Sequence, residues 1–327
     1  MELKTACLAV FPNNYMPIFS VIMNCLNGEK FLRQAINSVY DQSFTDWEII
    51  FFDSGSTDRS VEIASEYGER VKIFKLGQPV PLGQARQEAV DKATGDFLVF
   101  LDVDDVWLSF KLQLQYDLMK SGEYDVCYGG VQCIDGFNKL SYKILPKHKS
   151  GVLFEQFLTH VEGLWCTFVI NRKKLMHKGT KFNPVLRCSS EEDMVLSFLA
   201  YEGKGIVIHD VIAYYRIISV PTSVTSSNKN RWALERNATL ERLTNENPDV
   251  KTKFQKAFKS AEARGFYYKS SYLMDQGYYK EALEAMREAA KIDKKFRVLQ
   301  VLVAWPSMWN FIHQYKGYLA PLWLKLR

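Results

Sequence analysis

Short apolar runs, most of them followed by a polar cluster, set the pattern of the first hundred residues. The runs cover 18–23, 47–52, 71–74 and 97–101. Runs this short, without polar alternation, predict strands buried on both faces. Amphipathic stretches separate them. Leu32, Ala35, Ile36 and Val39 fall at i, i+3, i+4 and i+7, and Ala85, Ala89, Val90 and Ala93 share a face across 82–94. Both patterns predict helices, the second stopped by Gly95. Ser56 or Thr57 can cap another helix running towards Tyr67. Strand–helix alternation of this kind predicts an α/β fold, a mostly parallel sheet with helices on both faces.

The polar clusters follow the first, second and fourth runs: Asn24 to Gly28, Asp53 to Asp58, and Asp102, Asp104 and Asp105. In a parallel sheet all three open on the carboxyl edge, where such folds place ligands. Gly55 permits a tight turn in the second cluster. The three carboxylates of the last cluster repel one another. Two like charges about 4 Å apart cost roughly 1 kcal/mol in water and several times that in a protein-like dielectric. A divalent cation reverses the sign, and oxygen donors without His or Cys suit Mg²⁺ or Mn²⁺ better than Zn²⁺. The alternative is that Asp104 or Asp105 merely caps the next helix.

The chain after 125 is less regular. Strands are predicted at 125–134 and 140–145, a helix at 150–158 and a strand at 163–170. Ser189 or Ser190 predicts an N-cap, with Glu191, Glu192 and Asp193 in the first turn, where the helix dipole favours acids. Strands follow at 205–209 and 213–217. The stretch from Ser223 to Lys229 reads as a solvated linker or a mobile lid. From 228 glycine becomes sparse and Lys, Arg, Glu and Ala dominate. Helices are predicted at 231–245, 250–264, 267–276 and 279–292, with a break at Gly277. Tyr272, Gly277, Tyr278, Ala282 and Ala289 resemble the spacing of one tetratricopeptide repeat, which cannot bury its own faces. The chain therefore divides into 1–227 and an α-helical extension, 228–327, that packs on the first part or forms a homo-oligomer contact. Within 298–327, Trp305, Trp309 and Trp323 mix with Lys316, Lys325 and Arg327. That mixture suits peripheral membrane contact or a final docked helix.

Composition narrows the class. Of 327 residues 47% are hydrophobic and 24% charged, as in soluble globular proteins. A dispersed net charge of +5 makes no case for nucleic acid. Six cysteines without a CxxC pair read as free thiols in a reducing compartment. No apolar run is long enough to span a bilayer. The expected place is the cytoplasm, with the inner face of the membrane open as a second possibility. There is no GxGxxG after the first strand, no GxxxxGK[ST] and no GxSxG, which disfavours dinucleotide, P-loop and α/β-hydrolase chemistry.

The order of several short motifs carries a resemblance. They are Ser20-Val21-Ile22-Met23-Asn24 with Asn27-Gly28; Glu48-Ile49-Ile50 leading to Asp53-Ser54-Gly55-Ser56-Thr57-Asp58; Gly83, Ala85 and Arg86; Ala93-Thr94-Gly95-Asp96; and Leu101-Asp102-Val103-Asp104-Asp105 with Trp107. Together they resemble the nucleotide-sugar half of an inverting family 2 glycosyltransferase with the GT-A fold. The resemblance implies a nucleoside-diphosphate sugar donor, UDP-linked, with Mn²⁺ or Mg²⁺. It implies donor contacts from Asn24, Asn27, Asp53, Gly55, Arg86, Asp102, Val103 and Asp104. Asp53 would read the base, Asp102 would lie near the ribose, Asp104 would hold the metal, and Asp105 would assist at metal or sugar. Glu192-Asp193 with Leu196 resembles the family's ED motif, which implies Asp193 as general base, with Glu192 or Glu191 as runner-up. Trp165 would stack on an acceptor sugar or fill the core. Arg216, or a residue of the 223–229 loop, would touch the diphosphate, and His209 would reach the metal or, as a lone histidine at a strand end more often does, stay structural. Ser54, Gln87 and Leu26 depart from the family's usual residues. The implied acceptor is a glycan or lipid-linked glycan in surface polysaccharide or lipopolysaccharide synthesis. The rivals are a nucleotidyltransferase, disfavoured by the single glycine between Asn24 and Lys30, and a non-catalytic sugar-nucleotide-binding or adaptor protein.

Overall fold

The structure, a computed structural model, describes residues 16–200, 202–218 and 229–309. Most of the stretch expected to be a linker or lid, and the tail beyond Trp309, lie outside the described residues. Ten strands form one sheet: β1 (Phe19–Cys25), β2 (Trp47–Asp53), β3 (Val71–Lys75), β4 (Phe97–Phe100), β5 (Val106–Trp107), β6 (Val126–Ile134), β7 (Leu140–Ile144), β8 (Gly151–Val152), β9 (Val169–Asn171) and β10 (Lys204–Arg216). Their order is β3-β2-β1-β4-β9-β6-β10-β5, with β7 added to β6 and β8 to β10. Strands β1 to β4 run parallel. β9 lies antiparallel between β4 and β6, and β10 runs parallel to β6. The carboxyl ends of β1, β2, β4, β6 and β10 therefore share one edge.

Period-two alternation explains the unbroken apolar runs, because both sheet faces are covered. Ile22, Ile50, Phe52, Leu98 and Phe100 point into one core. Phe19, Val21, Met23, Ile49, Phe51, Phe97 and Val99 point into the other. The second core is closed by α1 (Glu29–Tyr40), α2 (Ser60–Ser65) and, beyond α3 (Leu82–Asp91), by α4 (Lys111–Met119). The first is closed by α3, α5 (Phe154–Thr159), α6 (Arg172–His177) and α7 (Ser190–Leu199).

The helical extension continues as α8 (Lys229–Glu246), α9 (Pro248–Lys253), α10 (Gln255–Asp275), α11 (Tyr279–Ile292) and α12 (Arg297–Val303). Its start is not a separate body. Leu240, Leu243, Val250, Ala257, Phe258 and Ala261 belong to the same core as Phe100 and Met194. Only from Ala263 onward do the helices build a core of their own, around Tyr267, Met286 and Phe296.

Three sequence expectations change. The segments 205–209 and 213–217 are one strand, β10, with register shifts between Ile208 and Val211 and between Val211 and Ala213. Exposed His209 and Asp210 occupy the first of these bulges and buried Ile212 the second, so a polar pair that reads as a turn is absorbed within the ladder. The expected strand at 163–170 is a short 3-10 turn, Trp165–Thr167, before β9. The expected helices at 250–264 and 267–276 are mostly one helix, α10, that passes through Gly265. A Cβ there would stand 2.6 Å from Asn237 Oδ1, so the glycine lets α8 and α10 approach closely and is not a break.

Candidate active site

The first two polar strand ends mostly satisfy each other. Asn27 adopts φ 56° and its Oδ1 accepts the Thr57 N–H at 2.8 Å. The N–H groups of Asn27, Gly28 and Glu29 donate to Ser56 Oγ, Ser60 Oγ and Asp58 Oδ2 at 2.9, 2.9 and 3.0 Å. The second loop thus caps the start of α1. Asp53 is 3% exposed, and its carboxylate accepts the N–H groups of Gly55 and Ser56. Gly55, at φ +88°, makes that turn possible. Asn24 Nδ2 donates to the Ala85 carbonyl at 2.9 Å, tying β1 to α3. An added Cβ at Gly28 would stand 2.7 Å from Val103 Cγ2, so the α1 entry packs directly on the acidic turn.

That turn follows β4. The Asp105 N–H donates to the Asp102 carbonyl at 3.1 Å, which turns the three carboxylates in different directions. Asp102 and Asp104 are partly exposed, whereas Asp105 is 1% exposed. Desolvation, followed by repulsion from Asp102, pushes the Asp104 carboxyl up to about 6. Desolvation also raises Asp102, with Arg86 opposing and Glu191 adding to the rise. The Asp102 side chain remains 42% exposed, so the crevice it shares with Arg86 is open to solvent and not a sealed core.

Asp105, read from the sequence as a companion at the metal, faces the core. Its Oδ1 accepts the Arg216 N–H at 2.9 Å, and its Oδ2 has no hydrogen-bond partner. Burial, then Asp102 and Asp104, hold its pKa well above the usual carboxylate range. A second buried ionisable group, Lys111 at the start of α4, is lowered to about 7 by desolvation and set 3.9 Å from the Trp107 ring centre.

Arg86 joins the acidic turn to the second acidic motif. Its guanidinium is buried on α3 and approaches Asp102 Oδ1 at 3.6 Å. It pairs with Glu191 and donates to Ser190 Oγ at 3.2 Å, both at the start of α7. Expected as a donor-site cation, Arg86 instead clasps two carboxylates from the two motifs.

The first turn of α7 divides its acids between two directions. Glu191 is 26% exposed and faces Arg86. Glu192 turns the other way, into a buried pair with Arg236 of α8. Asp193, the expected base, is 2% exposed, and its Oδ1 accepts from Thr239 Oγ1 at 2.7 Å and Arg242 Nη2 at 2.8 Å. Glu235, also on α8, accepts the N–H groups of Arg187, Cys188 and Ser189 at 3.0, 2.9 and 2.9 Å. The extension therefore fixes the helix that carries the second motif. Sequence reasoning missed these α8 residues. Their signal was present as Glu235, Thr239 and Arg242 at i, i+4 and i+7, a polar stripe complementary to Glu192 and Asp193.

Trp165, offered as an acceptor platform, is 8% exposed and packed among Phe100, Phe168 and Phe182. The core reading is the one its position fits. Arg216 is occupied as well. Its Nε donates to the Asp104 carbonyl, its Nη1 to the Asp135 carbonyl and Asn138 Oδ1, and its Nη2 to Gln34 Oε1, each at 2.8 Å. It buttresses the acidic turn from behind. His209 Nδ1 lies 3.0 Å from the Pro146 carbonyl.

The crevice thus collects Asp102, Asp104, Arg86 and Glu191. No group of three or more His, Cys, Asp or Glu that could hold a metal ion occurs among the described residues. Two crowded carboxylates with a raised pKa do fit the Mg²⁺ or Mn²⁺ mode in which one or two side chains and substrate phosphates share the ion.

Comparison with known proteins agrees with this geometry. The sequence model of glycosyl transferase family 2 matches residues 20–179. A Bacillus subtilis glycosyltransferase provisionally assigned to teichuronic acid biosynthesis is 26% identical over 70% of this chain and 91% of its own length. An Escherichia coli UDP-Glc:alpha-D-GlcNAc-diphosphoundecaprenol beta-1,3-glucosyltransferase is 27% identical over 49% of this chain and 62% of its own. The chain spans about half, 49%, of an uncharacterized Haemophilus influenzae glycosyltransferase to which it is 36% identical. Staphylococcus aureus TarS 1–349, solved in complex with UDP-GlcNAc, superposes with a TM-score of 0.65 at 18% identity, covering 90% of this chain and 89% of that one. Residues 20–179 thus match a glycosyl transferase family 2 domain, on a GT-A-like fold that a helical region follows.

Proposed function

We propose that the protein transfers a sugar, with inversion, from a UDP-linked donor to a hydroxyl of a glycan or lipid-linked glycan in surface polysaccharide synthesis. The observation that carries this reading is the Arg86 clasp, which sets the Asp102–Asp104 pair beside Glu191 in one crevice. The names of the Escherichia coli relative and the TarS complex, with their UDP-sugars, support the donor class.

Asp104, with Asp102, would hold the divalent cation. When bound, that ion neutralises charge developing on the leaving diphosphate. The chain's own residues supply the rest. A base must stay ionised and come within hydrogen-bond reach of the attacking hydroxyl. We place the base at Glu191 and not at Asp193 or Glu192. Glu191 faces the crevice beside the Arg86 guanidinium and stays 26% exposed, open to an incoming hydroxyl. Asp193 and Glu192 are buried against α8 and committed to Arg242 and Arg236. In this reading Glu191 takes the hydroxyl proton. The oxygen then attacks the anomeric carbon from the face opposite the diphosphate, inverting it. Asp53, Gly55, Asn24 and Asn27 act by shaping the loop that receives the nucleoside, with Val103 against Gly28 at its floor. The division of the chain at 227/228 remains a compositional one, and α8 is counted with the catalytic unit.

Isothermal calorimetry with UDP tests the donor site. Binding is expected to tighten when Mn²⁺ is present and to lose that dependence in Asp104→Ala. Failure of UDP to bind with or without Mn²⁺ would remove the proposal.

A further inference from the structure

The hairpin formed by β6 and β7 carries a surface that the transfer reaction does not use. Its turn, 135–139, leaves the sheet at the edge where the acidic turn lies. Arg216 connects the two, bonded to the Asp104 carbonyl on one side and to Asp135 and Asn138 on the other. The turn is rigid. Asp135 Oδ1 accepts the N–H groups of Phe137 and Lys139 at 2.8 and 2.9 Å, and Asn138 sits at φ 65° with its N–H on the Asp135 carbonyl.

On this fixed turn Phe137 is 92% exposed. An aromatic ring held in water by a fully bonded turn differs from a ring on a loose loop, which can fold back onto the protein. Leu140 and Leu145, on β7 and just after it, are 62% and 44% exposed. Lys139, Lys143, Lys147 and Lys149 are exposed along the same segment, and no Asp or Glu occurs between Gly136 and Phe154. None of these four ammonium groups has a salt bridge within 4.0 Å among the described residues.

We propose that this hairpin docks the enzyme on an anionic lipid bilayer. The charge argues for the occupant: four exposed lysines outnumber the neighbouring carboxylates, Asp135 and Glu162, which accept backbone N–H groups of the same segment, and so attract an acidic leaflet, while Phe137 and the leucines suit the interfacial zone beneath the headgroups. A soluble acidic polymer would use the lysines but would leave Phe137 in water. Docking at this edge turns the crevice towards the membrane, where a lipid-linked acceptor would be presented. That last consequence rests on the acceptor class proposed above; the docking itself does not.

Vesicle flotation of the full chain, without nucleotide or metal, tests the proposal independently of transfer. Binding is expected to phosphatidylcholine vesicles containing phosphatidylglycerol, to weaken with salt, and to be absent with phosphatidylcholine alone. Lys139→Gln with Lys143→Gln should weaken partitioning about tenfold or more, and Phe137→Ser about fivefold. Unchanged melting temperatures would show that these exposed positions left the fold intact. Equal binding by wild type and both variants would overturn the proposal and move membrane contact elsewhere in the chain. So would no binding by wild type. Loss of binding to soluble dextran sulfate in the lysine variant, with vesicle binding retained, would assign the hairpin to an acidic polymer instead.

Discussion

At the scale of residues, the decisive features are directions in which side chains point. Asp102, Asp104 and Asp105 stand in sequence within one turn, yet the third faces Cys166 in the core. Nothing in a one-dimensional pattern distinguishes it from its neighbours, because a turn rotates each carboxylate by an amount only its hydrogen bonds fix. The same limit separates Glu191 from Glu192 and Asp193, which a helix turns about 100° apart per residue. What the sequence did make legible was the place of the acidic turn and its oxygen-only chemistry. The raised pKa of Asp104 has a measurable consequence. Its folded value near 6 lies above the ordinary 3.8, so the proton favours the folded state. Cation-free protein should therefore lose stability as pH rises from about 4 through about 6. Asp104→Asn should raise stability at pH 7 by about 1–3 kcal/mol without a divalent cation. Thermal melts of both proteins at pH 4.5 and 7, with and without Mn²⁺, check this. Mn²⁺ should stabilise wild type at pH 7 and lose effect below about 6, where the proton competes.

At the scale of elements, the strands and helices up to Gly95 were nearly all readable, because burial on both sheet faces makes the apolar runs continuous. Tyr279–Ile292 was readable to the residue for a similar reason, a clean amphipathic period between Gly277 and Asp293. The misread elements are those where a local breaker serves a neighbour. Gly265 admits Asn237, and His209 with Asp210 bulges from β10. Gly83 serves a neighbour too, inside a helix that the sequence did predict. The Gly83 N–H donates to the Leu186 carbonyl at 3.0 Å, and an added Cβ would run into the Asn183 carbonyl oxygen. This contact sets α3, and with it Arg86, against the segment leading to α7. Gly83→Ala is expected to destabilise by about 2–3 kcal/mol, an overpacking effect against backbone that cannot yield. It should also weaken the Arg86 clasp. Denaturant unfolding gives the first quantity. Loss of transfer beyond the loss of folded protein gives the second.

At the scale of the whole molecule, the extension is the part least legible from sequence. Composition changes at 228, which reads as a domain boundary, but packing does not change there. Leu240, Leu243, Val250 and Phe258 fill the first core, and Glu235, Arg236, Thr239 and Arg242 hold α7. A chain ending at 227 would strip Glu192 and Asp193 of their cations and uncover the core face filled by Leu240, Leu243, Val250 and Phe258. Each fully buried side chain of that kind is worth about 1.5–3 kcal/mol, and four such losses rival the stability of a domain. This truncation is expected to yield no cooperative thermal transition, whereas a chain ending at 262 should retain one. A sharp transition for the shorter chain would show that the extension is an independent body.

The central claim is that Glu191, clasped by Arg86, is the base of the transfer while Asp193 secures the fold. Its most direct measurement is single-turnover transfer from a UDP-sugar donor, with UDP affinity measured alongside, for Glu191→Gln and Asp193→Asn. Glu191→Gln is expected to keep UDP binding and melting temperature and to slow transfer by about 10²–10⁴-fold. Asp193→Asn is expected to lower the melting temperature and to leave transfer by the folded protein within about tenfold, as befits a carboxylate that touches no reacting atom. Fast transfer by Glu191→Gln, together with folded, UDP-binding but inactive Asp193→Asn, would contradict the account and return the base to Asp193.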